Sequence, residues 1–250
     1  MFTPFAWLAD TFYGWTHNYA LALGLVALAV MLLITPLTLK STKGMLEMQR
    51  LQPQMKKLQN QYRGDRQKLN EEMMKLYQEH KVNPLASCLP LLAQMPVFII
   101  MFRVIHGLTY ESSPGSGFKP KYISATSELY KSLVGKTEMR AFGLDLAIRP
   151  SQAMASSFSK GLPYALLIVL LAGLFFLQQR MVASRAANPT MSAGQAKIMQ
   201  YMPVAFAFFQ VFLPTGLVVY YMVQAIVRIV QQWYITRRLD RKSTRLNSSH

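Results

Sequence analysis

The chain has 250 residues, 52% of them hydrophobic, and a formal net charge of +16. Apolar residues and charges fall into separate blocks, and several uncharged runs approach the roughly 20 residues a bilayer-crossing helix needs, which excludes a soluble nucleic-acid binder of similar basicity. A single cysteine, Cys88, excludes an intramolecular disulfide and reads as packing inside an apolar run. The composition predicts an all-α polytopic membrane protein.

Residues 1–18 are aromatic and nearly uncharged, without the basic start and small-residue cleavage site of a signal peptide, and predict an interfacial helix. Residues 19–39 form the first predicted span, with Pro36 near its end. Residues 40–83 are basic, rich in Met and amphipathic. Met45, Met48, Leu51, Met55, Leu58 and Tyr62 share one helical face, and Leu69, Met73, Leu76 and Tyr77 another. Between them Gly64 is placed for a left-handed helix end and Asp65 for an N-cap, so the segment predicts an antiparallel helical hairpin, with Pro53 expected to kink its first helix. Its cations, among them Lys56, Lys57, Arg63, Arg66 and Lys68, fit a solvated face, an anionic lipid surface or RNA equally well.

Asn83 and Pro84 open the second span, residues 84–107, which carries Pro90, Gln94, Pro96 and Arg103. Residues 108–160 read as a water-exposed loop, only partly structured. The third span covers residues 161–180. Residues 181–197 connect it, through the Asn188-Pro189 turn signal, to a short fourth span at 198–213, and Pro214-Thr215-Gly216 turns tightly into the fifth, at 215–235. Residues 236–250 form the tail. Placing the hairpin, the 181–197 connection with Arg180, and the tail on one side gathers more than twice the Lys and Arg found opposite. The positive-inside rule therefore predicts five transmembrane helices with a cytoplasmic hairpin and C-terminus and an outside N-terminus.

Signals for an enzyme, a cofactor or a metal site are missing from the sequence: the four histidines are scattered, and no phosphate loop or nucleophile elbow occurs. The spans hold no acidic residue, which argues against a proton relay. The informative residues are polar ones within spans. Tyr221, Gln224 and Arg228, spaced i, i+3, i+7, share a helical face. Tyr and Gln also serve to bind membrane helices together, but Arg228 lies about 12 Å from the cytoplasmic end, a long reach for snorkelling. Arg103, close to the outer end of its span, suits snorkelling. Gln94, next to Pro96, is placed to bond backbone groups that a kink frees.

Pro36-Leu37-Thr38, Leu51-Gln52-Pro53, Asn83-Pro84-Leu85, Cys88-Leu89-Pro90-Leu91-Leu92, Gln94-Met95-Pro96, Lys197-Ile198-Met199, Met202-Pro203, Pro214-Thr215-Gly216-Leu217, Tyr220-Tyr221 and Gln231-Gln232 run in an order that resembles the YidC/Oxa1/Alb3 membrane-protein insertases, in their five-span form. The resemblance implies an insertase and chaperone that inserts and helps fold nascent membrane proteins without ATP hydrolysis, through a hydrophilic groove open to cytoplasm and lipid. It implies a groove between the first, second and fifth spans, with Arg228, Tyr221, Gln224, Tyr220, Gln94, Pro96 and Arg103 as its candidate residues, and a hairpin that recruits substrate. Nascent membrane proteins, the ribosome, the lipid bilayer of the bacterial plasma membrane, the Sec translocon and the signal recognition pathway are the implied partners, with no small-molecule substrate. The family's groove arginine, five residues before the proline that is Pro36 here, is replaced by Met31. Residues 242–250 resemble translated adaptor sequence more than the family's basic tail. The rival reading is a small-solute transporter or channel.

Overall fold

A computed structural model describes residues 2–83, 89–183 and 193–247; Pro84 to Cys88, the Asn188-Pro189 turn and Ser248 to His250 lie outside them. The described residues are mostly helical, with one short ribbon and stretches of turn and coil. Helix α1 (Thr3–Thr16) begins with a proline in its first turn and ends at His17, whose left-handed backbone (φ 49°) returns its N–H to Tyr13. The Asn18 side chain then accepts from the N–H groups of Ala20 and Leu21 and starts α2 (Tyr19–Arg50). α1 lies along α2, with Ala6, Ala9 and Tyr13 buried and Trp7 and Trp15 left exposed.

α2 does not stop at residue 39. It runs unbroken through Pro36 and the first basic residues to Arg50, because residues 40–50 are good helix formers with no breaker stronger than Gly44. The break comes at Leu51, and Pro53 then occupies the first turn of α3 (Gln52–Gln61), where its missing N–H costs no hydrogen bond. The expected kink is therefore a helix start. Asp65 caps α4 (Arg66–Glu79) by accepting from the Lys68 N–H at 3.0 Å, as its position predicts. Gly64 is not in the left-handed region, and α3 closes at Tyr62. Met48, Leu51, Met55, Met73, Leu76, Tyr77 and Val82 form a core of their own, separate from the main one.

After α5 (Leu89–Leu108), residues 109–157 are far more ordered than a water-exposed loop. They hold α6 (Glu128–Leu133), an antiparallel ribbon of β1 (Arg140–Ala141) and β2 (Leu144–Asp145), and α7 (Pro150–Ser156). The ribbon is the one departure from the all-α expectation among the described residues. Phe118, Leu129, Leu133, Met139, Ala141 and Leu146 enter the main core with α1, α2 and α5, so this segment is a folded cap. Asp10 on α1 accepts from the Leu129 N–H, and Asp145 accepts from those of Met139 and Ala147.

α8 (Phe158–Ala183), α9 (Ala193–Phe209), a 3₁₀ turn at Gln210–Phe212 and α10 (Thr215–Asn247) complete the bundle, with α10 packed on α2, α5 and α8. The turn into α10 is held by the cap: Thr215 donates its N–H and hydroxyl to Ile148 O at 2.9 and 2.7 Å, and Gly216 N–H donates to Leu146 O at 2.8 Å. A side chain at Gly216 would press on Leu23, 3.2 Å from a Cβ. Tyr19–Gly44 and Phe158–Met181 are long and apolar enough to cross a membrane, and Gln94–Leu108 and Tyr201–Phe212 are shorter apolar helices. α10 is not among them, because Gln224, Arg228, Gln231 and Gln232 interrupt its apolar run.

Candidate functional site

The polar residues that interrupt α10 fall at positions 221, 224, 228 and 231, steps of three and four that line one face. That face meets α5 at Gln94. The Gln94 carbonyl oxygen accepts a hydrogen bond from the Arg228 guanidinium, and its amide nitrogen donates to Gln224 Oε1 at 3.2 Å and to the Tyr221 hydroxyl at 3.4 Å. Gln94 thus serves α10 and not the backbone beside Pro96. One step further along α10, Gln231 Nε2 donates to Thr35 Oγ1 of α2 at 2.9 Å. The cluster joins α2, α5 and α10.

Arg228 has no carboxylate near it. No acidic residue occurs between Asp145 and Asp240. The ion pairs among the described residues are His17–Glu128, Lys75–Glu72 and Arg140–Glu138, all elsewhere. Were α10 to cross a bilayer as its sequence predicts, its guanidinium would cost about 2.5–3.5 kcal/mol on insertion scales. A hydrogen bond to a charged group is worth about 1.5–3 kcal/mol, so the Gln94 carbonyl offsets much of that cost while leaving the charge uncompensated. Gln224 Nε2 and Gln231 Oε1 are buried with no hydrogen-bond partner among the described residues, so the cluster retains polar capacity.

On the side towards the cap, aromatic rings close the cluster. The Tyr221 ring meets Phe206 edge-on (centroids 5.9 Å, 90°) and lies 6.2 Å from Phe98, and Phe98 and Phe206 touch each other at 5.9 Å. Beyond them α10 presents buried Leu217 and Val218.

The remaining candidates divide. Tyr220 is fully buried with its hydroxyl unpartnered, one residue off the polar face and edge-on to Tyr221, so it stands outside the hydrogen-bonded cluster. Pro96 is exposed. Arg103 is exposed too, and nine residues along α5 from Gln94, about 13 Å. Met31 is fully buried on α2. Gly24 abuts Val223 and Thr35 bonds Gln231, so Met31, between the two, falls at the level of Arg228. Lys56, Lys57, Arg63, Arg66 and Lys68 are exposed on the hairpin. Thr35 and Gln231 are the cluster members that sequence reasoning missed, although Gln231 continues the spacing of Tyr221, Gln224 and Arg228. A lone Thr in an apolar run gives little signal, although it lies one turn beyond Met31 and bonds its carbonyl at 2.8 Å.

A family model for the 60Kd inner membrane protein matches residues 11–242. The chain belongs to that family. The family match takes in every residue of the Gln94 cluster and the whole hairpin. Relatives within reach include the membrane protein insertase YidC of Methylococcus capsulatus, 34% identical over 242 residues, and that of Magnetococcus marinus, 37% identical over 238. These alignments cover 97% and 95% of this chain but 37% and 35% of the relatives, so the chain spans little more than a third of their length. An active YidC insertase crystal structure with its first transmembrane domain resolved superposes with a TM-score of 0.59 at 26% identity, over 93% of this chain and 45% of that one.

Proposed function

We propose that this chain inserts nascent integral membrane proteins and helps them fold, using the face shared by α2, α5 and α10 as a hydrophilic groove. The observation that carries the reading is a half-buried arginine held by a neutral partner, Gln94, with buried amide groups beside it that lack a partner among the described residues. Such a surface accepts the polar end of a passing segment, and it lowers a crossing cost that otherwise reaches about 2.5–3.5 kcal/mol per charged residue. The apolar helix of the substrate then finds lipid beside the same helices. The step is a transfer with no covalent chemistry and no ATP. The names of the YidC relatives support this reading.

α2, α5, α8, α9 and α10 are the five membrane spans of the proposal. α5, with 20 residues, is about 30 Å long, the thickness of a hydrocarbon core. α9, with 17, suits a bilayer that is locally thin. The excess of basic residues on the hairpin side puts hairpin and C-terminus in the cytoplasm of the bacterial plasma membrane and the cap outside. The exposed hairpin cations recruit substrate there, with the ribosome, the Sec translocon and the signal recognition pathway as the partners that deliver it.

Closure by Phe98, Phe206 and Tyr221 supports a groove over a solute channel, because between those rings and Thr215, whose hydroxyl is taken up by Ile148 O, α10 presents Gly216, Leu217, Val218 and Val219. Reconstituted vesicles test this directly. Insertion of a one-span or two-span substrate with the protein present, without solute flux, is the expected result; flux without insertion would replace it with a channel.

A further inference from the structure

The β1–β2 ribbon ends in a large apolar side chain, Phe142, that stands exposed among the described residues. Arg140 pairs with Asp145 and Ala141 with Leu144, which leaves Phe142 and Gly143 as a two-residue turn with positive φ at both positions, 51° and 79°. Turns of this kind favour Asn, Asp or Gly at the first position, because a bulky side chain there crowds its own carbonyl. Phe142 accepts that strain and is still 72% exposed. Neither the turn nor packing within the protein accounts for a phenylalanine at this place.

Its position does. The ribbon's base is fixed in the core, where Met139 and Leu146 are buried and Leu146 N–H donates to Met139 O at 2.9 Å. Its flank is fixed to α8, where the Asp145 N–H donates to the Tyr164 hydroxyl at 2.8 Å. Tyr164 lies six residues into α8, about 9 Å past Phe158, where the apolar stretch of that helix begins. Close approach fixes the same junction from the other side, since a Cβ on Gly161 would fall 2.5 Å from Met154 Cα of α7. The ribbon tip is therefore carried beside the first turns of a helix whose Phe158, Leu162 and Leu166 side chains are all exposed. Arg140, two residues from the tip, is also exposed and pairs with Glu138, so an apolar tip sits next to a charged flank.

We propose that Phe142 anchors the cap to the bilayer, its ring set in the layer where headgroups meet acyl chains beside α8. Phenylalanine, like Trp and Leu, is a side chain that interfacial segments bury at the boundary of headgroups and acyl chains. The strained turn aims the ring outward, and the ion pair of Arg140 and Glu138 stays in the headgroup water. The partner is the lipid surface itself. This rests on the reading of α8 as a membrane span, and the test separates the two.

Single cysteines replace Phe142, Ser113 and Leu170 in the full chain carrying Cys88→Ser. Each is labelled with an environment-sensitive fluorophore and reconstituted into phosphatidylcholine vesicles with nitroxide lipids, spin-labelled either near the headgroup or near the acyl end. The label at 142 should be quenched several-fold more by the shallow nitroxide than by the deep one, the label at 170 the reverse, and the label at 113 by neither. An unquenched label at 170 would overturn the span reading and the anchor with it. A quenched label at 170 beside a label at 142 as dry of quenching as 113 overturns the anchor alone. A second variant, Phe142→Asn, suits the turn; its melting temperature in detergent should stay level or rise. A fall would mean that the ring packs within the protein, contrary to the proposal.

Discussion

Gln94 stands between Arg228 and the rest of the polar face of α10: its carbonyl oxygen serves the guanidinium, and its amide nitrogen serves Gln224 and Tyr221. One neutral side chain on α5 thereby orients three on α10. Replacing it with leucine removes the acceptor and leaves a half-buried charge unpaired, so Gln94→Leu should lower stability by about 1.5–3 kcal/mol in thermal or denaturant unfolding in detergent. Gln94→Glu, which supplies a carboxylate to the same guanidinium, should unfold no earlier than the parent, yet insert substrates with acidic ends poorly because the charge is neutralised.

Arg228→Ala should lower insertion of substrates with acidic translocated ends by roughly tenfold or more, the factor expected from losing one charge-assisted hydrogen bond. Arg228→Lys should keep part of the activity, since the charge remains but the planar fork is lost. Met31 lies at the same level on α2, so Met31→Arg added to Arg228→Ala should restore part of the loss. Vesicle insertion assays with substrates whose ends are acidic, neutral or basic read all three; full activity of Arg228→Ala at normal expression would rule the role out.

The hairpin has its own core, so the recruitment proposed for it can be tested apart from folding. Replacing residues 52–80 with a short flexible linker should leave the melting temperature of the bundle unchanged and slow insertion. Met55→Asp, which buries a charge at the centre of the small core, should melt α3 and α4 alone, visible as loss of hydrogen-exchange protection confined to that pair.

Orientation is checked with single cysteines at Ser113 and Gln67 in a Cys88→Ser chain. An impermeant thiol reagent applied to intact cells should label the first and spare the second. The reverse pattern would turn the molecule over.

The parts of the fold legible in the sequence are those that local spacing decides. The stripe of Met48, Leu51 and Met55 and that of Met73, Leu76 and Tyr77 can bury themselves only against each other, and the Asp65 cap follows from position alone. Pro53 was ambiguous by nature, because a proline that breaks a helix interior is welcome in a first turn, and what decides is the break at Leu51. The cap was opaque for another reason. Its apolar residues are few and widely spaced, and Phe118, Leu133 and Leu146 earn their burial only against α1, α2 and α5. Of the polar cluster, the α10 face could be read from its spacing of three and four, but its partners could not: Gln94 and Thr35 lie 134 and 196 residues from the side chains they bond.

The three helices that carry the cluster are each tied to the cap by one hydrogen bond or more. The Tyr19 hydroxyl of α2 donates to Ser132 O, Lys121 N–H donates to Gly107 O of α5, and Gly216 N–H of α10 donates to Leu146 O. Past Arg228, the hydrogen bond between Gln231 and Thr35 joins α10 to α2. A bundle fastened at the cap is expected to spread as a fan does, its ribs opening about the fixed end. Displacement then grows with distance from the cap, so in the proposed groove the gap between α2, α5 and α10 should widen most beyond Arg228 and least at the aromatic rings, with the seal kept.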